Sequence, residues 1–346
     1  MQCMGGMKQE MSAMKVWAWV IGALVAIWSV VWLAGSIATE RLVTYWLNDR
    51  DAAGWVVAHD SVQTAGYPFR FVTTLPGLML ADPFSGWALE ADGFRLEQDS
   101  YQPQAIRAIW PAEHTLSTPL ERITIRTEQL EAMLHVRPLD YLALVQSETR
   151  IVALEMDSDL GWSSRVDQAL AMVVERDEPG HRYDIRIDAS GVTPAGEVLA
   201  LLDPAGLLPQ EIETVRFEAI MGFARAWDLT ALESSRPAIT RVELAELRAD
   251  WGDLALRLSG DLNVDAEGLP TGDLSVRAQN WREMIEIGVN AGAIPEGFRG
   301  TLETGLGLLA GLSGRSEDLD ATLRFSGGQV YFGPIPLGPA PRLVLR

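Results

Sequence analysis

The residue types that most often do chemistry are few and scattered in this chain. His59, His114, His135 and His181 are its only imidazoles, and Cys3 is its only thiol. No two histidines stand in an HxH or HExxH spacing and no second cysteine exists, so the sequence predicts neither a zinc ligand set nor an intramolecular disulfide. There is no GxSxG nucleophile elbow and no Walker A phosphate loop. Gly305-Leu306-Gly307-Leu308-Leu309-Ala310 matches the GxGxxA form of a dinucleotide turn. No buried strand leads into it and no parallel βαβ unit surrounds it, so a glycine-rich packing helix is the better reading. Asp261, Asn263 and Asp265 copy the opening of a calcium loop, but Ala266 stands where that loop needs glycine and Gly272 where it needs glutamate. A polar strand face running into a hairpin explains them. The run "EMDSDLG" at 155–161 reads as a solvated turn. With 47 acidic residues, a chance pair of carboxylates carries no information about acid–base catalysis. The expectation is therefore a protein with no catalytic residue, no cofactor and no metal site, and not an enzyme. The alternative is a periplasmic hydrolase with a dispersed active site, recognisable only by a Ser–His–acid or metal cluster assembled in space.

One short stretch could still be a binding loop. "GYPFRF", residues 66–71, packs three aromatics, a proline and an arginine together. Gly66 permits a tight turn. Pro68 fixes its own φ and pushes Tyr67 towards an extended shape. Phe69 and Phe71 are then expected on one side and Arg70 on the other, with "VTTL" continuing a strand. A strand-entry turn with aromatic anchors is the favoured reading of Gly66, Tyr67, Pro68, Phe69 and Arg70. The other reading is a recognition site in which Arg70 holds an anion.

Composition narrows the partners. The formal net charge is −19 over 346 residues, which argues against nucleic acid, whose binders need a basic footprint. It argues equally against broad attraction to anionic lipid. Lysine occurs only at Lys8 and Lys15, and every other basic residue is arginine.

The elements that would hold any site begin with an apolar segment. Val16 to Ala38 is 23 residues without a charge. As a helix it reaches about 35 Å at ~1.5 Å per residue, enough for a hydrocarbon core of ~30 Å. Trp17 and Trp19 lie near one end, and Trp32, Tyr45 and Trp46 near or beyond the other, as an aromatic belt requires. Ser36-Ile37-Ala38 has the small-x-small form of a signal cleavage site, but the apolar run exceeds the usual length of roughly 7–15 residues. An uncleaved anchor is favoured. "LAGS" at 33–36 has Ser36 where a lipidated cysteine would stand, which excludes lipoprotein processing. Lys8 and Lys15 before the span balance Arg41 and Arg50 after it, so orientation rests on the short N-terminal tail, which points to a cytoplasmic N-terminus and a periplasmic body.

Beyond the span, 39–60 keeps helical spacing and reads as a stalk or a helix packed on the body. After Pro68 strands dominate. "RYDIRID" at 182–188 alternates with Tyr183, Ile185 and Ile187 on one face, and "ERITIRT" at 121–127 does the same. Residues 253–265 and 271–278 form alternating strands divided by a Gly/Pro hairpin loop. They direct Leu254, Leu256, Leu258, Leu262, Val264, Leu274 and Val276 towards one or both faces of a sheet. Helices are expected at 166–176, after Thr193-Pro194 with Thr193 as N-cap, at 281–289 and at 301–312. The fold class is α+β, mainly β: an N-terminal transmembrane helix and a large antiparallel body. The expected divisions are a cytoplasmic tail (1–15), the anchor (16–38), the stalk (39–60), and strand-rich lobes at 61–195 and 196–346. The leucine and valine face is either a closed sandwich core or an open groove able to hold an acyl chain.

"SVQTAGYPFRF" resembles the opening signature of domain-of-unknown-function family 2125, membrane-anchored proteins typical of alphaproteobacteria. The likeness extends to "WGDLALRLSGDLNVDAEGLPTGDLSVRAQNWREM" at 251–284 and "FSGGQVYFGPIPLG" at 325–338. A fainter similarity of the "GDLxVxxxGxPxGxLxVxxxN" kind links the strands to AsmA-like envelope proteins, associated with lipid handling and outer-membrane homeostasis. These resemblances supply no catalytic residues. They imply a single-pass inner-membrane protein with a periplasmic body, acting in envelope maintenance, with the membrane as one partner and lipid or another envelope protein as a second.

Overall fold

In a computed structural model, the uncharged run lies inside a much longer helix, α1 (Met4–Ala52). The structure describes residues 4–345 except 205, 207, 234, 293, 295, 313–317 and 334. It is the only helix among the described residues long and apolar enough to cross a membrane. No proline interrupts it, and it stops in a Schellman cap: Trp55 N–H donates to Arg50 O at 3.1 Å and Gly54 N–H to Asp51 O at 3.0 Å. The expected helical stalk to residue 60 therefore ends early, because residues 56–58 are held extended in a ladder.

The described residues are mainly strand with few helices, the mainly-β class expected, and the chain packs as two units, residues 1–109 and 110–346. In the first unit α1 precedes β1 (Val56–Ala58), β2 (Gln63–Ala65), β3 (Arg70–Leu75), β4 (Leu78–Asp82), β5 (Trp87–Ala91), β6 (Phe94–Asp99) and β7 (Gln102–Ile109). One antiparallel ladder joins β1, β4 and β5; another joins β2, β3, β6 and β7. Leu47 of α1 is buried against Leu75 and Leu78, with Val43, Trp46, Val57 and Phe94 around them. The C-terminal part of α1 is thus a core element of this unit.

The second unit opens with β8 (Glu113–Ser117), β9 (Arg122–Arg126), β10 (Gln129–Arg137), β11 (Ala143–Ser158), β12 (Ser163–Glu175) and β13 (Arg182–Thr193). It continues through α2 (Gly196–Leu202), β14 (Ile212–Phe223), α3 (Leu229–Glu233), β15 (Ile239–Trp251), β16 (Leu254–Val264) and β17 (Pro270–Gln279). Last come α4 (Trp281–Asn290), α5 (Arg299–Leu312), β18 (Asp318–Ser326), β19 (Gln329–Phe332) and β20 (Ile335–Pro339). From β10 to β20 each strand pairs antiparallel with the next, so the sheet is one long meander. The boundary expected at 195/196 falls inside this unit, between β13 and β14, which pair with each other.

Two helical expectations need correction. Of residues 166–176, all but the last are strand, because the apolar run "ALAMVV" satisfies either period and the chain there is bonded to β11 on one side and β13 on the other. Thr193 is not an N-cap. It ends β13 opposite Arg165, and α2 begins after Ala195 with no side-chain cap. The helices expected near 281–289 and 301–312 are α4 and α5. The GxGxxA run therefore lies within α5 and is no phosphate-binding turn. Asp265 caps the β16–β17 loop, accepting from the N–H groups of Glu267 and Leu269 at 3.1 and 2.8 Å.

His114 on β8 is buried, its Nδ1 3.4 Å from Pro111 O. Burial lowers its pKa below the ordinary 6.5. The unfolded chain then takes up this proton at higher pH than the folded chain. Its contribution to stability is complete above about pH 6.5 and is lost as pH falls below that value. His114→Gln should lessen the drop in melting temperature between neutral and mildly acidic pH; an unaltered drop would show that this burial does not couple to folding.

Candidate functional site

The 66–71 turn is built against α1. The Tyr67–Pro68 peptide is cis, and Gly66 has φ of 104°. Arg70 N–H closes the turn on Gly66 O at 3.0 Å. Trp28 Nε1–H donates to Pro68 O at 2.9 Å, and one helical turn later Trp32 Nε1–H donates to Arg70 O at 2.9 Å. Ser29 Oγ and Tyr67 OH share a hydrogen bond of 2.8 Å. The Trp32 ring meets Tyr67 edge-on at 5.4 Å and lies tilted against Phe71 at 5.7 Å. A Cβ at position 35 would stand 2.6 Å from Phe71 Cζ, so any side chain there would push the Phe71 ring away. The turn is therefore a strand entry with aromatic anchors, and what it anchors to is the apolar helix.

Phe69 departs from the expected pattern. It lies in the turn proper, before β3 starts at Arg70, so the two-residue period does not reach it. Phe71 is buried, whereas Phe69 is 64% exposed. Arg70 points to solvent, 3.6 Å from Asp99.

The second cluster is the leucine and valine face of 254–276. Register settles its geometry: Leu256, Leu258, Leu262 and Val264 stand opposite Ala278, Val276, Gly272 and Pro270, and Leu274 stands opposite Gly260. Directly opposed antiparallel residues share a face, so all seven predicted residues lie on one face. That face continues far beyond them. A single rung runs Ala171, Ile187, Phe217, Leu247, Leu258, Val276 and Ala321, each opposite the next across seven strands. A bulge at Ala245 and Glu246 of β15 shifts its register with both β14 and β16, and keeps the apolar positions in phase where alternation alone would lose them.

The two ends of this face are packed differently from its middle. At one end Tyr183, Phe223, Val242, Leu262, Val264 and Phe325 form a core. Tyr183 OH there accepts Trp227 N–H at 3.1 Å, and Arg137 makes a two-pronged ion pair with Glu175, which stands opposite Tyr183. At the other end Trp281 and Ile285 of α4 and Leu302 and Leu306 of α5 cover Ala278, Leu319 and Ala321. Between them Phe217, Leu247, Leu258 and Val276 are only partly covered and Ile187 is 39% exposed. The face is neither a sandwich core closed along its length nor bare.

The opposite face is wet and charged. Asp188 bridges Arg186 and Arg216 at 2.6 Å each, and these guanidiniums hold its carboxyl below the usual range, the Arg186 hydrogen bond contributing most. A broad depression of about 550 Å3 is lined there by Asp184, Arg186, Glu218, Glu243 and Asp261 beside Met172 and Ile220. Its lining contains no hydroxyl, thiol, amine or imidazole. Glu243 is taken up by Arg182 and Arg241 at 2.7 and 2.6 Å. Among the described residues, no group of three His, Cys, Asp or Glu side chains could hold a metal ion.

A family model for uncharacterized proteins conserved in bacteria, DUF2125, matches residues 32–341. The chain belongs to that family. The match begins at Trp32, the residue whose indole meets Arg70, and contains both clusters. No curated protein and no solved structure matches the chain. The first resemblance therefore stands on the family match, while nothing matched carries the AsmA-like one.

Sequence reasoning missed Trp28, Ser29 and Gly35 as partners of the turn, and Phe217 and Leu247 as the middle of the face. An uncharged helix shows no preferred docking side. The signal available was Gly35 between Trp32 and the run's end, a gap for a neighbouring ring.

Gly66→Val should destabilise the first unit by about 1–3 kcal/mol, as a non-glycine residue forced into a sparsely populated φ does, with its Cβ 2.8 Å from Arg70 O. Arg70→Ala should cost less than ~1 kcal/mol. Equal melting temperatures for the two variants would contradict the turn geometry. In the second unit, Tyr183→Ala should cost about 3–5 kcal/mol, the range for emptying a buried aromatic site. Ile187→Ala should cost well under half of that. Denaturant unfolding checks the contrast, and equal losses would mean that the middle of the face is packed.

Proposed function

We propose that the chain is a non-enzymatic, single-pass inner-membrane protein, N-terminus in the cytoplasm and body in the periplasm, that serves envelope maintenance by holding an acyl chain or similar apolar molecule. The observation that carries the reading is the seven-strand apolar rung whose middle is left partly uncovered between two packed ends. A sheet face must be covered by helices, a second sheet or a ligand. Here helices cover one end only. Each methylene laid along the rung would gain ~0.8 kcal/mol. The middle of the face offers no charge with which to select a headgroup, the Arg137–Glu175 pair lying at a packed end, so the chemistry recognised is the hydrocarbon itself. The non-catalytic part of the reading is supported by the charged depression, whose carboxylates have no nucleophile beside them. The anchor is supported by α1, whose apolar residues from Trp17 onward remain largely exposed.

Full-length protein in lipid nanodiscs, irradiated with a diazirine fatty acid and digested, should carry adducts on β13–β17. Leu247→Glu should remove most of them while lowering the melting temperature less than Tyr183→Ala does. Adducts confined to α1, or undiminished by Leu247→Glu, would overturn the acyl reading. A periplasm-only reporter fused after Arg346 should be active; activity from a cytoplasm-only reporter alone would overturn the topology.

A further inference from the structure

The height at which the turn meets α1 conflicts with a body standing clear of the bilayer. A hydrocarbon core of ~30 Å needs about 20 helical residues at ~1.5 Å each. Counted from Val16, the first residue of the uncharged run, the outer edge of the core falls near residue 36. The body touches α1 well before that: Trp28 bonds Pro68, and Trp32 bonds Arg70. On the sides of α1 that the turn leaves uncovered, Val30, Val31, Leu33 and Ile37 are exposed, so hydrocarbon must reach the same height. Sliding the span until Trp28 marks its outer edge would draw Glu10 and Lys15 into the core, which is costly for ionised groups.

We infer that the 66–71 turn, with the neighbouring 99–102 turn, is embedded in the outer leaflet as a wedge beside α1. This rests on the membrane-anchored reading above and adds a second, non-helical contact with lipid. Two independent features fit it. First, beside the exposed polar Arg70, Asp99 and Gln102 the turns present three aromatic rings outward: Tyr67, Phe69 and Tyr101, the last 63% exposed. Amphipathic rings collect at the level where headgroups meet hydrocarbon. Second, irregular backbone survives at membrane depth only where its polar groups are satisfied by protein. Here Gly66 O accepts Arg70 N–H, Pro68 O accepts Trp28 Nε1–H, Phe69 O accepts Ser100 N–H and Arg70 O accepts Trp32 Nε1–H. Four of the five carbonyls from Gly66 to Arg70 are met without water. The one cation of the turn, Arg70, faces Asp99 and can snorkel towards the phosphates. The partner surface is the lipid of the bilayer that α1 crosses, not a second protein.

The test uses full-length protein in nanodiscs with Cys3→Ser as background and one spin label at a time. The label sites are Val31→Cys, Phe69→Cys, Tyr101→Cys and Phe84→Cys, the last at an exposed turn beside the C-terminal end of α1. Collision with oxygen, which partitions into lipid, is compared with collision with a water-soluble nickel chelate. Labels at 69 and 101 should share the lipid-type ratio of the label at 31, and the label at 84 should show the aqueous ratio. Aqueous ratios at 69 and 101 with a lipid ratio at 31 would overturn the wedge and leave the anchor standing. An aqueous ratio at 31 would overturn both. Because 69 and 101 lie on different turns, misfolding of one variant leaves the other to decide.

Discussion

From Trp28 to Ala38 one side of α1 meets the body and the other is uncovered apolar surface, the protein contact continuing to Leu47, and the first unit is organised by that double contact. Leu47 belongs to the core with Leu75 and Leu78. A turn and a half of helix around Trp28 and Trp32 supplies the hydrogen bonds that close the 66–71 turn. β3 starts where that turn ends, and β2 and β6 pair with β3. Removing the helix would leave the carbonyls of Pro68 and Arg70 without their indole donors and expose Phe71, so anchor and body cannot be treated as separable pieces of this unit. The same constraint explains why position 35 carries no side chain.

In the second unit the organising fact is phase. An antiparallel meander keeps its apolar residues on one face only if every pair is in register, because a one-residue slip sends the whole set to the other face. A bulge at Ala245 and Glu246 of β15 absorbs the slip that the sequence would otherwise impose between β14, β15 and β16. The result is one apolar face and one charged face across the breadth of the sheet. The ion pairs of the charged face keep that side wet, as Asp188 with Arg186 and Arg216 illustrates. Exposed pairs of this kind contribute little to stability; their consequence is to specify which face is buried.

Several elements were legible in the sequence because one local signal sufficed. The uncharged run marks a long apolar helix. The alternation in 182–188 and 253–278 marks β13, β16 and β17, with glycine and proline placing the hairpin between the last two. β12 was not legible, since six consecutive apolar residues suit a strand and a helix equally, and pairing on both sides decides for the strand. Phe69 was misplaced because alternation was extended back into a turn. The breadth of the apolar face was out of reach for another reason: it depends on which residue of β14 stands opposite which of β15, and no property of either segment alone determines that. The docking of the turn onto Trp28, 40 residues away, is a long-range fact of the same kind.

The central claim is that α1 serves at once as membrane span and as core of the first unit, so that lipid and protein overlap along its length. The most direct measurement is the height of the outer phosphate layer along α1 in an electron cryomicroscopy map of the full-length protein in a lipid nanodisc. That layer is expected near residues 36–40, beyond the contacts of Trp28 and Trp32 with the turn. A phosphate layer at or before Trp28, with the turn wholly in water, would contradict it.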